Sequence, residues 1–522
     1  MAIFGKHLFN PLKVLFVASE AAPFVKAGGL GEVIFSLPKA LSEGGIDARV
    51  MIPYYASIEK EKRPVTMEFE GLNVPTDKNK DENNENEPDT LICNVKKYTP
   101  PADGPAESET SKKIPVTTYF LENKEYYELR SNIYGYADDT IRWALLSRGT
   151  LEFLRLNHEW VPDVIVASDW QTGFIPNYLQ TTYKNDSRLK NIATIFTIHN
   201  LSYQGLFDHH FVSEMDYDDG RSQLTSFFDP RLLKLNMMRR GIMYADLISA
   251  VSPTYAKEIM TKEYGELLDG LLRERRSRLY GVLNAIDYEI FNPKTNVNLK
   301  TNFDERGSHR RPENKLEMQG RLGLEQNEDV FTIGIVSRLV EQKGFDLLGL
   351  IMEPLLKELK FQLAVLGSGE AKYMSFFQDL EKKFPGQVAA HLVFDSALPH
   401  LMYAGCDAIL IPSRFEPSGL NQMEAMRYGS VPIVRKTGGL ADSVKDYNPQ
   451  KHAGTGFVFE KYDSLSLVTA ITRAVEIYKN KDEWRAMQKR CMEKNFSWGH
   501  SAEEYKHLFD IAMNFRKREL EE

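Results

Sequence analysis

Short apolar runs alternate along the chain with segments whose apolar residues recur at helical spacing, and this alternation limits the possible folds more strongly than any other feature. The runs lie at residues 13–18, 47–52, 164–167, 193–198, 247–251, 331–336, 362–366, 408–411 and 432–434. Short runs without polar alternation are typical of parallel strands that helices cover on both faces. The pattern therefore predicts an α/β chain with doubly wound parallel sheets.

The length of the chain predicts more than one domain. Its 522 residues exceed what one core of roughly 100–200 residues accommodates. Between residues 254 and 278 the chain is highly charged and has poor apolar periodicity, which indicates a connection between domains. We therefore expect one Rossmann-like domain over residues 1–253 and a second over residues 254–500, with the glycine turns of both facing a cleft.

Composition argues against several classes of function. The formal net charge is −8, whereas nonspecific nucleic-acid binding depends on a broad basic surface. No apolar run reaches the roughly 18–20 residues of a membrane span, and residues 1–13 match neither a signal nor a transit peptide, so we expect a cytoplasmic protein. The three cysteines are far apart, which argues against a disulfide framework or a structural zinc site.

Two strongly polar segments interrupt the first half of the chain, at residues 76–89 and 100–113. They contain almost no apolar residues, and such segments bury too little surface to offset the entropy that is lost on ordering. We interpret them as mobile insertions at the edge of a sheet, and their role stays open.

The stretch 413–429 has the features of a ligand-binding loop. It follows an apolar run, contains Pro417 and Gly419, and continues as a helical pattern from Leu420. The start of a helix presents unpaired N–H groups and the positive end of its dipole, which suit an anion. Glu416 and Glu424 could both meet one polyhydroxylated ligand, although solvated glutamates on an ordinary strand–loop–helix unit would give the same pattern.

Two further glycine turns and a pair of cations follow other apolar runs. Gly28 and Gly29 stand in the turn after the first run, next to Lys26, and a similar turn with two glycines starts at Thr437. Glycines let a ligand approach the backbone closely, but tight packing alone would also explain them. Arg338 and Lys343 precede an expected helix over residues 344–359, where they would bind an anion or simply be solvated.

Polar residues also follow two apolar runs of the first half. Asp169 and Trp170 lie directly after the run 164–167, between Ser168 and Gln171, and His199 lies directly after the run 193–198. Ligands of doubly wound sheets bind at the carboxyl ends of the strands. Both groups are therefore candidates for a binding site, although a single histidine in such a place is often structural.

The sequences of these loops resemble the motifs of one family. E-P-x-G-L with a second glutamate at 424 resembles the E-x7-E signature of retaining glycosyltransferases of the GT-B type, and most of all the glycogen and starch synthases. The turns K-x-G-G-L-G, T-I-H-N-L-x-Y-Q-G, S-R-L-x-x-Q-K-G and T-G-G-L resemble motifs of the same family in the same order. The resemblance spans nearly the whole chain and implies a last helix, at about residues 501–522, that crosses back to the first domain.

The resemblance also implies an activity. Members of this family transfer glucose from a nucleotide-sugar donor, usually ADP-glucose in bacteria, to the nonreducing end of an α-1,4-glucan acceptor with retention of configuration. It implies no cofactor. The implied catalytic residues are Glu416, His199, Arg338 and Lys343; the implied donor-binding residues are Lys26, Gly28, Gly29, Glu424, Thr437, Gly438 and Gly439; the implied acceptor-binding residues are Asp169 and Trp170.

Several departures from the family pattern keep alternatives open. Ser168 and Gln171 stand where the family usually has histidine, so a retaining transferase with a small acceptor, of the sucrose or trehalose type, stays possible. A noncatalytic glucan-binding protein is a second alternative. Asp138 and Asp139 are adjacent and do not form the D-x-D pair that holds a metal in many glycosyltransferases, so we expect no metal at the diphosphate site.

Overall fold

The computed structural model describes residues 11–58, 64–78, 88–100 and 116–521. The predicted insertions therefore fall largely outside the described residues, at 79–87 and 101–113. The chain divides into two compact units, of which the first comprises Met1–Val251, Ala256–Val282 and Trp498–Glu522, and the second comprises Ser252–Tyr255 and Leu283–Ser497.

The first unit is built on a sheet with nine strands in the described part of the chain. They are β1 (Lys13–Val17), β2 (Asp47–Pro53), β3 (Thr66–Pro75), β4 (Thr90–Tyr98), β5 (Thr118–Glu122), β6 (Val164–Ser168), β7 (Ala193–Ile198), β8 (Leu247–Ala250) and β9 (Leu279–Gly281). Their order is β3-β4-β5-β2-β1-β6-β7-β8-β9. Only the pairs β3–β4 and β4–β5 are antiparallel, so the other strands form a parallel sheet with an antiparallel edge.

The helices that the first half of the chain contributes are α1 (Gly29–Glu43), α2 (Asp139–Leu156), α3 (Phe174–Gln180), α4 (Met237–Tyr244), α5 (Pro253–Glu258) and α6 (Asp269–Glu274). Residues 14–17 of β1 are fully buried, as expected of a strand that helices cover on both faces. The neighbours of β1 are β2 on one side and β6 on the other. The strand order therefore reverses at β1, and in such sheets ligands bind beyond the carboxyl ends of the strands at this point.

The second unit is built on six parallel strands. They are β10 (Thr332–Val336), β11 (Gln362–Leu366), β12 (Val388–His391), β13 (Ala408–Ile411), β14 (Val431–Arg435) and β15 (Phe457–Phe459), in the order β12-β11-β10-β13-β14-β15. Helices α7 (Arg311–Leu322), α8 (Met352–Leu359), α9 (Ala371–Lys383), α10 (Leu398–Gly405), α11 (Asn421–Arg427), α12 (Gly438–Ser443), α13 (Ser464–Tyr478) and α14 (Lys481–Met492) accompany them. Here the strand order reverses between β10 and β13, so their carboxyl ends mark the ligand site of this unit.

The end of the chain forms a long helix, α15 (Trp498–Glu521), which packs on α1, β7 and β8 of the first unit. Within the described residues, no helix is both long and apolar enough to span a membrane. The predicted pair of Rossmann-like parallel-sheet domains is confirmed.

Three details differ from the sequence-based expectation. The boundary at 253/254 is wrong, because residues 256–282 stay in the first unit, where β9 extends the sheet beside β8. The helix expected over 344–359 is a short 3₁₀ turn, Phe345–Leu348, followed by α8. β15 lies outside every apolar run that the sequence indicated as a strand, and its buried Phe457 and Phe459 fit the sheet.

Candidate active site

Lys343 and Glu416 form an ion pair at the carboxyl ends of β10 and β13. The distance between Lys343 Nζ and Glu416 Oε2 is 2.6 Å, and the Ser413 hydroxyl donates to the same carboxylate oxygen over 2.8 Å. Glu416 is only 7% exposed. The two predicted catalytic residues are therefore held together, and the ammonium group is fixed beside the place where the strand order of this sheet reverses.

Glycines bring three loops of the second unit into direct contact. A Cβ on Gly438 would lie 1.9 Å from the Glu416 carbonyl oxygen, and a Cβ on Gly439 would lie 1.7 Å from that of Ser418. A Cβ on Gly344, whose φ is +75°, would lie 2.1 Å from the Pro412 carbonyl oxygen. No larger residue fits at these positions without movement of the backbone. We call residues 343–344, 412–418 and 437–439 the donor cluster.

The N–H of Gly439 also donates to the Glu416 carbonyl oxygen over 3.1 Å. Thr437, the first residue of the predicted turn, is buried at the start of α12. Ser252, at the start of the short segment that joins the second unit, donates through its hydroxyl to the Pro417 carbonyl oxygen over 2.7 Å. These hydrogen bonds fix the backbone of the donor cluster at Glu416 and Pro417.

Arg338 precedes this cluster in the sequence, Glu424 lies between two of its segments, and the two residues differ in their surroundings. Arg338 is exposed after β10, and its guanidinium forms no ion pair with the residues that the structure describes. Glu424 lies on α11 and accepts a hydrogen bond of 2.8 Å from the Tyr403 hydroxyl. Burial, together with this carboxylate, raises the pKa of Tyr403 well above its usual value. Tyr403 therefore keeps its proton, donates a hydrogen bond to Glu424 and fixes the position of the carboxylate.

The glycine turn of the first unit connects β1 to α1. Lys26 is half-exposed and forms an ion pair of 2.7 Å with Glu32, in the first turn of α1. The Glu20 carboxylate accepts hydrogen bonds from the backbone N–H of Ala27 and, over 3.1 Å, of Gly28. A Cβ on Gly29 would meet no atom within 4 Å. The turn is therefore fixed by Glu20 and leaves open space at Gly29.

Asp169 holds the loop that carries His199. Its Oδ1 accepts the backbone N–H of His199 over 2.7 Å and that of Asn200 over 3.2 Å. Burial raises the pKa of Asp169 to about 7, although both N–H groups act to lower it. Burial alone lowers the pKa of His199 to about 4, so its imidazole is neutral at neutral pH. The sequence predicted an acceptor role for Asp169, and the structure shows that it positions the His199 loop.

Trp170 lies mainly within the packed interior. Trp170 is the first residue of a short 3₁₀ turn, Trp170–Thr172, and it is 7% exposed. The indole meets Trp143 edge-on, with 6.4 Å between the ring centroids. Direct stacking of Trp170 on an acceptor stays a prediction.

Sequence reasoning gave no role to three residues that shape the site: Glu20, Ser413 and Tyr403. Glu20 and Ser413 each follow the end of a strand within three residues, and polar groups there were a usable signal. Tyr403 lies on α10, distant in sequence from its partner Glu424, so no local pattern indicates it.

Comparison with known proteins identifies the family. Residues 13–274 match the family model described as starch synthase catalytic domain, and residues 321–490 match the model described as glycosyl transferases group 1. A glycogen synthase of Thermotoga petrophila is 39% identical over 507 residues, which cover 96% of this chain and 99% of that protein. The chain belongs to the glycogen and starch synthase family.

Other members of the family agree in sequence and in structure. A glycogen synthase of Clostridium acetobutylicum is 40% identical, with 95% of this chain and 99% of that protein covered. The catalytic domain of starch synthase IV from Arabidopsis thaliana, bound to ADP and acarbose, matches with a TM-score of 0.79 and 30% identity over 97% of this chain and 100% of that chain. The predicted family, GT-B fold and glycosyltransferase activity are confirmed.

Proposed function

We propose that this glycosyltransferase transfers glucose from ADP-glucose to the nonreducing end of an α-1,4-glucan and retains the anomeric configuration. The observation that carries the proposal is the ion pair of Lys343 with the buried Glu416 inside the donor cluster. Two comparisons support it: the bacterial relatives are glycogen synthases, and the matched plant structure holds ADP and acarbose.

The donor cluster offers opposite charges for the two products of bond breaking. When the bond between glucose and diphosphate breaks, positive charge develops on the sugar and negative charge on the diphosphate. Lys343 and Arg338 would stabilise the diphosphate, and the Glu416 carboxylate would stabilise the sugar. Because hydrogen bonds and glycine packing already fix Lys343 and Glu416, these two groups need little reorganisation in the transition state.

Three further roles belong to the proposal. His199 would face the transferred glucose as a neutral imidazole, which adds no positive charge beside a sugar that is itself becoming positive. Glu424 would accept hydrogen bonds from the donor ribose, and Lys26 with Gly28 and Gly29 would contact the donor through the open space of their turn. Arg338 and Lys343 would take the place of a metal at the diphosphate.

We also propose a cytoplasmic location. Cys93, Cys406 and Cys491 are all unpaired and buried, and free thiols suit a reducing compartment.

The test uses purified protein, radiolabelled ADP-glucose or UDP-glucose, and glycogen as the acceptor. We expect label in the polymer, at a higher rate from ADP-glucose, and release of only the α-linked product by an α-glucan hydrolase. Faster incorporation from UDP-glucose would contradict the proposed donor. Label that appears only in a small soluble product would indicate a transferase with a small acceptor, and donor binding without any product would indicate a noncatalytic glucan-binding protein.

A further inference from the structure

Two histidines of the first unit direct their ring nitrogens at one carboxylate oxygen that the proposed reaction does not use. His209 Nε2 lies 3.1 Å from Glu266 Oε2, and His210 Nε2 lies 3.2 Å from the same oxygen. The two imidazole rings face each other with 4.2 Å between their centroids. Asp208 adds a second carboxylate, and its Oδ1 lies 3.1 Å from His210 Nδ1. Asp208, His209 and His210 bring their ligand atoms within 4.8 Å of one another.

These separations suit a small divalent metal ion. Zinc binds imidazole nitrogen at about 2.0–2.1 Å and carboxylate oxygen at about 2.0–2.2 Å, so the ligand atoms of a tetrahedral site lie about 3.3–3.5 Å apart. The two nitrogen-to-oxygen distances of 3.1 and 3.2 Å fall a few tenths of an ångström short of this. Side-chain movements of that size would bring each imidazole nitrogen to the separation from Glu266 Oε2 that such a site requires.

Asp208 is placed to orient one of the ligands. A histidine that binds a metal through Nε2 commonly donates its Nδ1–H to a carboxylate, which fixes the tautomer and the ring orientation. The contact between Asp208 Oδ1 and His210 Nδ1 has this arrangement. It leaves the lone pair of His210 Nε2 directed toward Glu266.

Glu266 is held in position before any ion binds. The Ser202 hydroxyl donates to its Oε1 over 3.2 Å, and the Gln204 side chain donates to its backbone carbonyl over 2.8 Å. Its backbone has φ +47°, in the left-handed region that a non-glycine residue rarely adopts.

We propose that His209, His210 and Glu266 bind a divalent transition-metal ion of the zinc class, with Asp208 orienting His210 and a fourth position open to water. The site lies wholly within the first unit, and no step of the proposed glucosyl transfer passes through it. Ser202 and Gln204 belong to the loop that begins at His199, and both donate to Glu266. A bound ion therefore orders this loop by fixing the residue to which it is anchored.

Metal titration of the full chain tests the site. The protein is stripped with EDTA, dialysed and titrated with Co²⁺, whose visible ligand-field absorption reports the coordination geometry. We expect one Co²⁺ per chain with the absorption of a four-coordinate ion, and displacement by Zn²⁺. His210→Ala and Glu266→Gln should each weaken binding at least about 100-fold, whereas Asp208→Asn should weaken it about 10- to 100-fold.

His452→Ala is the matched control, because His452 also pairs with a single glutamate, Glu483, over 2.8 Å on the protein surface. It should leave Co²⁺ binding unchanged. His210 is 52% exposed, so His210→Ala should melt at the wild-type temperature in the absence of metal. The proposal is overturned if Co²⁺ does not saturate at one per chain, if His210→Ala binds as tightly as the wild type, or if His452→Ala loses binding equally.

Hydrogen exchange tests the effect on the loop. Zn²⁺ should slow amide exchange at residues 199–210 in the wild type and leave it unchanged in His210→Ala. Equal exchange with and without Zn²⁺ in a wild-type protein that binds the ion would overturn the ordering of the loop.

Discussion

The glycine turns of the two units have the same kind of sequence but different surroundings. In the first unit, Lys26 is half-exposed and a side chain on Gly29 would meet no atom within 4 Å. In the donor cluster of the second unit, Lys343 is 18% exposed, and a side chain on Gly438 or Gly439 would overlap backbone oxygens. The second-unit glycines are thus needed for contact between protein loops, whereas Gly29 leaves space that a ligand can fill.

This difference separates two uses of glycine that look identical in sequence. Packing of backbone on backbone fixes Glu416 and Lys343 before the substrate arrives, which is what stabilisation of developing charge requires. The open turn of the first unit adds a cation and accessible backbone without such constraint. Substitution of Lys343 should therefore lower kcat, whereas substitution of Lys26 should act mainly on the donor KM.

The largest effect should come from Lys343→Ala. Removing one fixed contact to a developing charge costs about 2.7–4 kcal/mol, so kcat should fall by roughly 10²–10³ while circular dichroism stays that of the wild type. Lys26→Ala, the matched change in the open turn, should alter kcat much less and act mainly on the donor KM. Steady-state kinetics of both variants measure kcat and the donor KM. If kcat of Lys343→Ala falls by less than tenfold, the role assigned to Lys343 is wrong.

Glu424→Ala should raise the donor KM and leave the acceptor KM nearly unchanged. A hydrogen bond to a charged group contributes about 1.5–3 kcal/mol, which corresponds to roughly 10- to 150-fold in KM. Tyr403→Phe is the control, because it removes the 2.8 Å contact with Glu424 and keeps the carboxylate. If Tyr403→Phe raises the donor KM as much as Glu424→Ala, the effect comes from the lost contact between the two side chains and not from a hydrogen bond of Glu424 to the ribose.

Gly439→Ala and Gly29→Ala should have opposite effects on stability. The added Cβ at 439 would lie 1.7 Å from the Ser418 carbonyl oxygen, and overpacking of this kind costs about 1–3 kcal/mol. At residue 29, where α1 begins, alanine should leave the free energy of unfolding unchanged or raise it by up to about 1 kcal/mol. Denaturation of both variants measures this. If Gly29→Ala is destabilised as strongly as Gly439→Ala, the contrast between open and packed turns is wrong.

Asp169 should make stability depend on pH. Its folded pKa of about 7 lies above the ordinary value of 3.8, so its contribution is fully present below pH 3.8 and is lost as pH rises through 7. Between pH 4 and 7, wild type should lose up to roughly 1.4 kcal/mol per pH unit relative to Asp169→Asn. The pKa of His199 is lowered to about 4, so this residue makes stability rise with pH between 4 and 6.5. It does so in the wild type and in Asp169→Asn alike, and the comparison of the two proteins removes its effect. Urea denaturation at pH 5 and 8 measures the difference, and a pH-independent difference would exclude the shift.

Thiol reagents should have the smallest effect. Burial raises the pKa of Cys93 and of Cys491 to about 12 and that of Cys406 further, so little thiolate is present for alkylation. Iodoacetamide should therefore leave kcat unchanged. Ser418→Cys places a thiol inside the donor cluster and should make the enzyme sensitive, and inactivation of the wild type would show that a native cysteine supports the site.

The parts of the fold that were predictable are those with strong local patterns. The run 408–411 coincides with β13, and the run 193–198 coincides with β7. The first is wholly apolar, the second is interrupted only by two threonines, and each is followed by a loop with polar residues. β9 was missed because its three residues, Leu279–Gly281, follow a charged segment and carry no apolar period. Its place depends on pairing with β8, which the local sequence does not encode.

The candidate site was predictable by residue type more than by contact. The motifs indicated Lys343 and Glu416, but their ion pair joins residues 73 positions apart and depends on the adjacency of β10 and β13. Asp169 was assigned to the acceptor because the family resemblance implied that role for a residue that follows β6. Its bond to the His199 backbone became visible only with the pairing of β6 and β7.

The discontinuity of the two units has a consequence for dissecting this protein. The chain passes between them at 251/252, 255/256, 282/283 and 497/498, so no single cut separates one unit from the other. A fragment that ends at residue 282 lacks α15, and the surfaces of α1, β7 and β8 that this helix covers become exposed to water. Chimeras made to transfer donor preference between family members should therefore exchange residues 283–497 and retain the recipient's own C-terminal helix.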